Sequence, residues 1–275
     1  MKILIIGADG FIGQNVAKGL EKNFYLIRSS WQEGLDLKID LTKDSIGEIA
    51  RKISSVSPDI LINCAGIVPQ SGLKLTNQMM TEKLLKALKR SNQKFSRIFL
   101  FSSAAIYNTK LKKANEDSQL EGGSNYARDK IEEEKIALKF AERGLPIVIL
   151  RLFNPLGEGM QAGFIIPRIL SAKNEEINLE SERDFFDVRE IPIIIAIMTQ
   201  ATPKRVVYNV GSGKKTKVSK IVDLINRERD LYIKKIEKID EVPMADISRL
   251  KKEFNWKPTY NIKKTIERVL ENEKD

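Results

Sequence analysis

The sequence predicts an α/β fold, a doubly wound parallel sheet with a smaller C-terminal lobe, and three observations carry that reading. The chain opens on an apolar run at residues 3–6, which suits a strand covered on both faces. Gly7, Gly10 and Gly13 follow at once, and Ile12, Val16 and Leu20 recur at helical spacing, so strand, tight turn and helix succeed one another. Short apolar runs then go on alternating with amphipathic segments, the beat of parallel strands joined by crossover helices.

Each later element has its own signal. Residues 24–28 read as a second strand and residues 36–40 as a short third. Ile46, Ile49, Ile53 and Val56 mark a helix that Pro58 ends, and residues 59–63 are a buried strand running into Cys64-Ala65-Gly66. A helix over residues 76–91 carries Met80, Leu84 and Leu88 on one face, and residues 97–102 are the next strand. Residues 108–123, polar and containing Gly122-Gly123, read as a long surface loop. A charged helix over residues 126–143 is closed by Gly144, and residues 146–150 return as a strand. Past Asn154-Pro155-Leu156-Gly157 the beat becomes irregular, with an apolar run at 191–198, a strand near 206–210 and helices near 218–227 and 262–270. Residues 1–155 are therefore expected to form a dinucleotide-binding domain, to which segments near 185–210 return, and residues 156–275 mainly a substrate-binding lobe.

Composition narrows the chemistry. The 275 residues include no histidine, which removes histidine triads, histidine bases and most zinc or iron ligand sets, so no metal site is expected. The single cysteine, Cys64, cannot form an internal disulfide, and no apolar stretch approaches the ~20 residues of a membrane span, so a soluble cytoplasmic protein without membrane contact is expected. The formal charge of +10 is scattered among acids, as in Glu132-Glu133-Glu134-Lys135 and Lys251-Lys252-Glu253, a pattern of solvated faces that disfavours nucleic acid as a partner.

The glycine turn points to a dinucleotide. Glycines let the backbone approach a pyrophosphate, and the free amides of Phe11, Ile12 and Gly13 at a helix N-terminus attract the anion. The spacing is G-x-x-G-x-x-G rather than G-x-G-x-x-G. Tyr126 and Lys130, four apart on one helix, project from the same face, where an ammonium favours the phenolate and brings a phenol toward useful acid/base strength.

These residues resemble the extended short-chain dehydrogenase/reductases, in particular the nucleotide-sugar epimerase, dehydratase and reductase branch, whose fold is of the Rossmann type. The resemblance rests on Gly7, Gly10 and Gly13, on Asp40-Leu41, on Asn63-Cys64-Ala65-Gly66 and on Asn77. It continues through Ser102-Ser103-Ala104-Ala105-Ile106-Tyr107, Tyr126 with Lys130, Arg151-Leu152-Phe153-Asn154-Pro155, Arg183-Asp184-Phe185-Phe186 and Trp256-Lys257-Pro258. It implies that Tyr126 is the acid/base, that Lys130 lowers its pKa and holds the nicotinamide ribose, and that Ser103 hydrogen-bonds the substrate oxygen. Asp40 and Leu41 would flank the adenine, with Cys64, Ala65 and Gly66 beside the cofactor. Asn154 would face the substrate and Arg183 its diphosphate, although Asn154 could equally cap a turn and Arg183 belong to a surface pair. A homodimer through the helices at 76–91 and 126–143 is implied in the same way.

Departures from the family pattern select among its reactions. Ala104-Ala105 stands where the 4,6-dehydratases resemble one another in carrying Asp-Glu, so dehydration lacks its acid and base. The absence of histidine removes epimerisation of the fucose-synthesis type. Asn108, Arg189-Glu190 and the missing proline before Tyr126 make the substrate-side loops atypical, and Asp240-Glu241 replaces a phosphate-binding arginine for which Arg249 could substitute. NAD enzymes place an acid about 20 positions past the glycine turn, whereas this chain has Arg28-Ser29-Ser30 there, which favours NADP(H) over NAD(H). In a second reading Arg28 faces solvent and Glu33 reaches the ribose. The expectation is an NADPH-dependent reductase of a nucleoside-diphosphate-linked 4-keto sugar. The alternatives are an NAD-dependent nucleotide-sugar 4-epimerase and, from another class, a non-catalytic dinucleotide sensor or RNA-binding relative.

Overall fold

The computed structural model describes residues 1–74, 76–171, 176–227, 234–236 and 242–272. Among them, seven parallel strands form the central sheet: β1 (Lys2–Ile6), β2 (Tyr25–Ser30), β3 (Leu37–Lys38), β4 (Ile60–Asn63), β5 (Arg97–Ser103), β6 (Ile147–Leu152) and β7 (Val207–Val210). Their spatial order is β7-β6-β5-β4-β1-β2-β3, so the strand order reverses beside β1, where doubly wound sheets open a crevice at their carboxyl ends.

The apolar run that opens the chain is used on both sides. Ile3 and Ile5 enter one apolar layer, with α1 (Phe11–Leu20) and α6 (Glu190–Gln200), while Leu4 and Ile6 enter the opposite layer, with α2 (Ile46–Val56), α3 (Asn77–Arg90) and α4 (Asn125–Glu142). Each such side chain contributes about 1.5–3 kcal/mol on full burial. Gly19 allows the close crossing of α1 and α6, since a Cβ there would lie 2.4 Å from Pro192. A third apolar cluster joins Ile166 and Ile169 of α5 (Ile165–Ser171) to α7 (Val218–Asn226) and α9 (Ile262–Asn272).

Several elements differ from the sequence expectation. β2 runs on to Ser30, while the third strand shrinks to Leu37–Lys38 because Asp40 is drawn into a turn, accepting from the Thr42 and Lys43 amides. The loop at 108–123 contains a short strand, Lys113–Ala114, paired with Met244–Ala245. α8 (Ser248–Phe254) was not foreseen, because Leu250 is its only buried residue and a single apolar position has no period. Glu132-Glu133-Glu134-Lys135 is not a solvated face. Glu133 and Glu134 are buried, each matched to a cation, and only Glu132 and Lys135 pair at the surface.

Candidate active site

The glycine turn is built for close backbone approach. Gly7 has φ +74°, and a Cβ there would fall 2.6 Å from the Ala65 nitrogen; one on Gly13 would fall 2.1 Å from the Gly7 oxygen. Gly10 differs, since a Cβ there would meet no protein atom closer than 3.5 Å, so it is the space before the helix that its bareness preserves. Gly10 caps α1, whose first amides have no intrahelical partner. A pyrophosphate fits this cradle by backbone contact alone.

A cavity of about 580 Å³ continues from the turn along the carboxyl ends of β4, β5 and β6. Phe11, Ile12, Cys64, Ala65, Gly66, Ser103, Tyr126, Lys130, Asn154 and Arg183 all line it, so residues that the sequence scatters over most of its length meet around one space. Ser102 lines it too, with a buried hydroxyl that has no hydrogen-bond partner among the described residues.

Local chemistry sets each catalytic candidate. Ser124 caps α4, accepting from the Ala127 amide at 3.0 Å, which starts the helix one residue before Tyr126 and places that phenol in its first turn. Arg151 at the end of β6 fixes α4 from below: its Nη2 lies 2.7 Å from Glu134 Oε2, and its Nη1 donates to the Tyr107 hydroxyl at 2.8 Å. Burial pushes the Tyr107 phenol up to about 12, so it remains a structural donor to Asn209. Ser103 Oγ accepts from the Ala105 amide at 3.2 Å and keeps its own hydrogen for another acceptor.

Lys130 is buried, and two of its three donors have partners. Its ammonium donates to the Phe101 carbonyl at 2.8 Å and to Glu133 Oε2 at 2.5 Å, while Glu133 also accepts from Thr81 at 2.7 Å. Burial alone would lower the Lys130 pKa, but the Glu133 carboxylate, with Tyr126 and Asp129, raises it above the usual lysine value. Desolvation drives the Cys64 thiol far above its ordinary range, so it stays protonated and cannot act as a base.

Two arginines line the cavity, Arg183 and a residue missed in the sequence, Arg168 of α5. Its only signal was a lone cation within an apolar run, 165–170. Arg183 donates to Ser181 and to the Glu182 carbonyl. Asn154 pairs with the Asp184 carbonyl, holding the strand Asn154–Leu156 against Phe185–Asp187.

Other expected residues have partners of their own. Ser29, expected at the cofactor, is fully buried and takes part through its carbonyl, which accepts from both Gly7 and Ala8. Asp40 and Leu41 are buried beside the start of α2, with the Asp40 carboxylate committed to its own turn. Arg28 is engaged by Asp36, whose Oδ2 accepts from the Arg28 amide at 2.8 Å and lies 3.5 Å from its Nε. Arg249 cannot serve a substrate phosphate, since it binds Glu116, Asp117 and the Val207 carbonyl. Asp240-Glu241 lies outside the described residues. Arg189 and Glu190 form a structural clasp: Arg189 pairs with Asp187 and covers the Tyr260 ring at 3.9 Å, while Glu190 accepts from Trp256, Thr259 and Tyr260.

Among the described residues no helix is long and apolar enough to cross a membrane, and no group of His, Cys, Asp or Glu could hold a metal ion. A GDP-6-deoxy-D-talose 4-dehydrogenase from Aggregatibacter actinomycetemcomitans is 29% identical over 82% of this chain and 79% of its own length. A GDP-6-deoxy-D-mannose reductase from Pseudomonas aeruginosa is 24% identical over 98% of this chain and 96% of its own. The solved structure of a UDP-glucuronic acid 4-epimerase from Bacillus cereus, in complex with UDP-glucuronic acid and NAD, superposes with a TM-score of 0.84 at 20% identity, covering 100% of this chain and 99% of that one. The sequence profile described as the NAD dependent epimerase/dehydratase family matches residues 3–211, and with that match, a turn shaped for a dinucleotide and a Tyr126/Lys130 pair at one cavity, this chain is an enzyme of that family.

Proposed function

We propose that the protein is a nicotinamide-dinucleotide-dependent reductase of a nucleoside-diphosphate-linked 4-keto sugar. One observation carries the reading: among the described residues the cavity lining contains no carboxylate. Eliminating water or inverting a carbon acid requires a second acid or base next to the sugar. Here Tyr126 is the proton-transferring group, the Cys64 thiol is held protonated, and Ala104-Ala105 adds nothing. Such a site suits hydride chemistry at one carbon, and two curated relatives named for oxidoreduction of GDP-deoxysugars support it.

The residues divide the work. A nicotinamide dinucleotide held by the glycine turn and Lys130 would supply the hydride. Tyr126 delivers a proton to the carbonyl oxygen as it becomes an alkoxide, Ser103 donates a hydrogen bond to the same oxygen, and the Lys130 ammonium favours the phenolate left behind. Arg168 and Arg183 suit a diphosphate, which guanidinium groups bind bidentately. The chemistry resembles that of a 4-epimerase up to the fate of the keto sugar, which an epimerase reduces again without releasing it. A homodimer through α3 and α4 goes with this reading, consistent with exposed Met79 on α3.

The test supplies reduced dinucleotide and a panel of GDP-, UDP- and dTDP-linked 4-keto-6-deoxysugars. Dinucleotide oxidation with a product two hydrogens heavier is expected. No oxidation with any keto sugar, together with interconversion of gluco- and galacto-configured nucleotide sugars and copurifying NAD, would assign the epimerase instead.

A further inference from the structure

The end of β2 carries no acid, yet a carboxylate stands there. Ser29 accepts from the Gly7 and Ala8 amides, each at 2.9 Å, which stitches the strand end to the glycine turn. The next residue, Ser30, donates its hydroxyl hydrogen to Asp9 Oδ2 at 2.7 Å and accepts from the Gln32 amide at 3.1 Å. Ser30 is buried, so its hydroxyl is a fixed support, while Asp9 is exposed and its second oxygen takes no hydrogen bond from the described residues. The acid that reads the adenosine ribose in this fold ordinarily comes from the strand. Here the turn supplies it.

Electrostatics around that point oppose a phosphate. Arg28 brings one positive charge, but Asp36 beside it and Asp9 across the strand end bring two negative ones. A ribose 2′-hydroxyl can donate to a carboxylate, whereas a 2′-phosphate offers only acceptors and a like charge.

We infer that Asp9, held by Ser30, selects a dinucleotide with a free 2′-hydroxyl, NAD(H), over its 2′-phosphorylated counterpart. This reverses the NADP(H) preference expected from Arg28, and it rests on dinucleotide binding at the turn. Asp9 is thus a specificity residue that the β2 sequence does not display.

Calorimetric titration of the whole protein with NAD+, NADP+, ADP-ribose and 2′-phospho-ADP-ribose tests it without reference to turnover. The wild type should bind NAD+ at least about tenfold more tightly than NADP+, and ADP-ribose should show the same ratio against its 2′-phosphate. Asp9→Ser should bring the two dinucleotides to within about threefold of each other, and Arg28→Ala should leave the wild-type ratio within about threefold. Asp9→Asn, which can still accept from Ser30, separates loss of charge from loss of the support and should also lower the ratio. A wild type that prefers NADP+, or a ratio unchanged in folded Asp9→Ser and Asp9→Asn, overturns the inference alone. Binding of neither dinucleotide by the wild type overturns the turn as a dinucleotide site and the inference with it.

Discussion

Glu133 Oε2 lies 2.5 Å from Lys130 Nζ, inside the helix that presents Tyr126, and this contact keeps a buried ammonium charged. Removing the carboxylate leaves desolvation to pull the lysine pKa down. In Glu133→Gln the alkaline limb of the kcat profile, where Lys130 loses its proton, should move to lower pH. Glu133→Asp should restore part of the shift. An unmoved alkaline limb in the folded Gln variant would show that Glu133 serves packing only.

Tyr126→Phe removes the proton but little volume. Turnover should fall by about 10²–10⁴-fold while dinucleotide affinity holds, as read by single-turnover kinetics beside calorimetry. Ser103→Ala should lose less, because Tyr126 still delivers the proton.

Arg168→Ala and Arg183→Ala test the diphosphate end of the cavity. Each should raise KM by about ten- to a hundredfold with kcat nearly constant, the signature of binding energy used equally in ground and transition states. A kcat loss at unchanged KM would place these arginines nearer the reacting carbon.

The pair Arg151–Glu134 is buried on both sides, with side chains only 5% and 3% exposed. Leaving one charge without its partner costs about 3–5 kcal/mol. Arg151→Ala should therefore show a much lower midpoint in chemical denaturation, and the double variant Arg151→Met with Glu134→Leu should recover part of it.

Asp246 provides a pH test of stability. Against the opposing effect of desolvation, the Ser248 hydroxyl and amide, with Lys113, hold its carboxyl at about 2, below the ordinary 3.8. A folded pKa below the unfolded one stabilises the fold above pH 3.8, and the contribution fades as pH falls toward 2. Lys113 is about half exposed, so solvent screening limits the effect to about 1 kcal/mol or less. Asp246→Asn should lower stability at neutral pH by that amount and match the wild type at pH 2.

Much of the fold was legible because burial writes periodicity into sequence. Residues 3–6 and 59–63 read as strands since both faces of their apolar runs are covered, and Leu84 and Leu88 mark a helix for the same reason. Gly7, Ser103, Tyr126 and Lys130 could be placed on one sheet edge from strand order alone. What stayed hidden were side chains whose meaning lies in a distant partner. Glu133 looks like one more surface acid until Thr81 and Lys130 enclose it, and Arg249 looks available until Glu116 and Asp117 do the same. Asp9 sits in plain sight within the glycine motif, but only its contact with Ser30 reveals which strand end it completes.

The last strand of the sheet, β7, arrives at residues 207–210, after the chain has already left the sheet to place α5 in a separate apolar cluster. Neither half is a cassette. A fragment ending at residue 155 would carry β6 with a bare edge and α1 without the α6 surface that meets Gly19, an invitation to self-association. Exchanging the segments after residue 155 between relatives would therefore have to respect several crossings of the chain between the sheet's apolar layer and the cluster of α5, α7 and α9. The sheet and the cluster of α5, α7 and α9 are better thought of as braided than as joined.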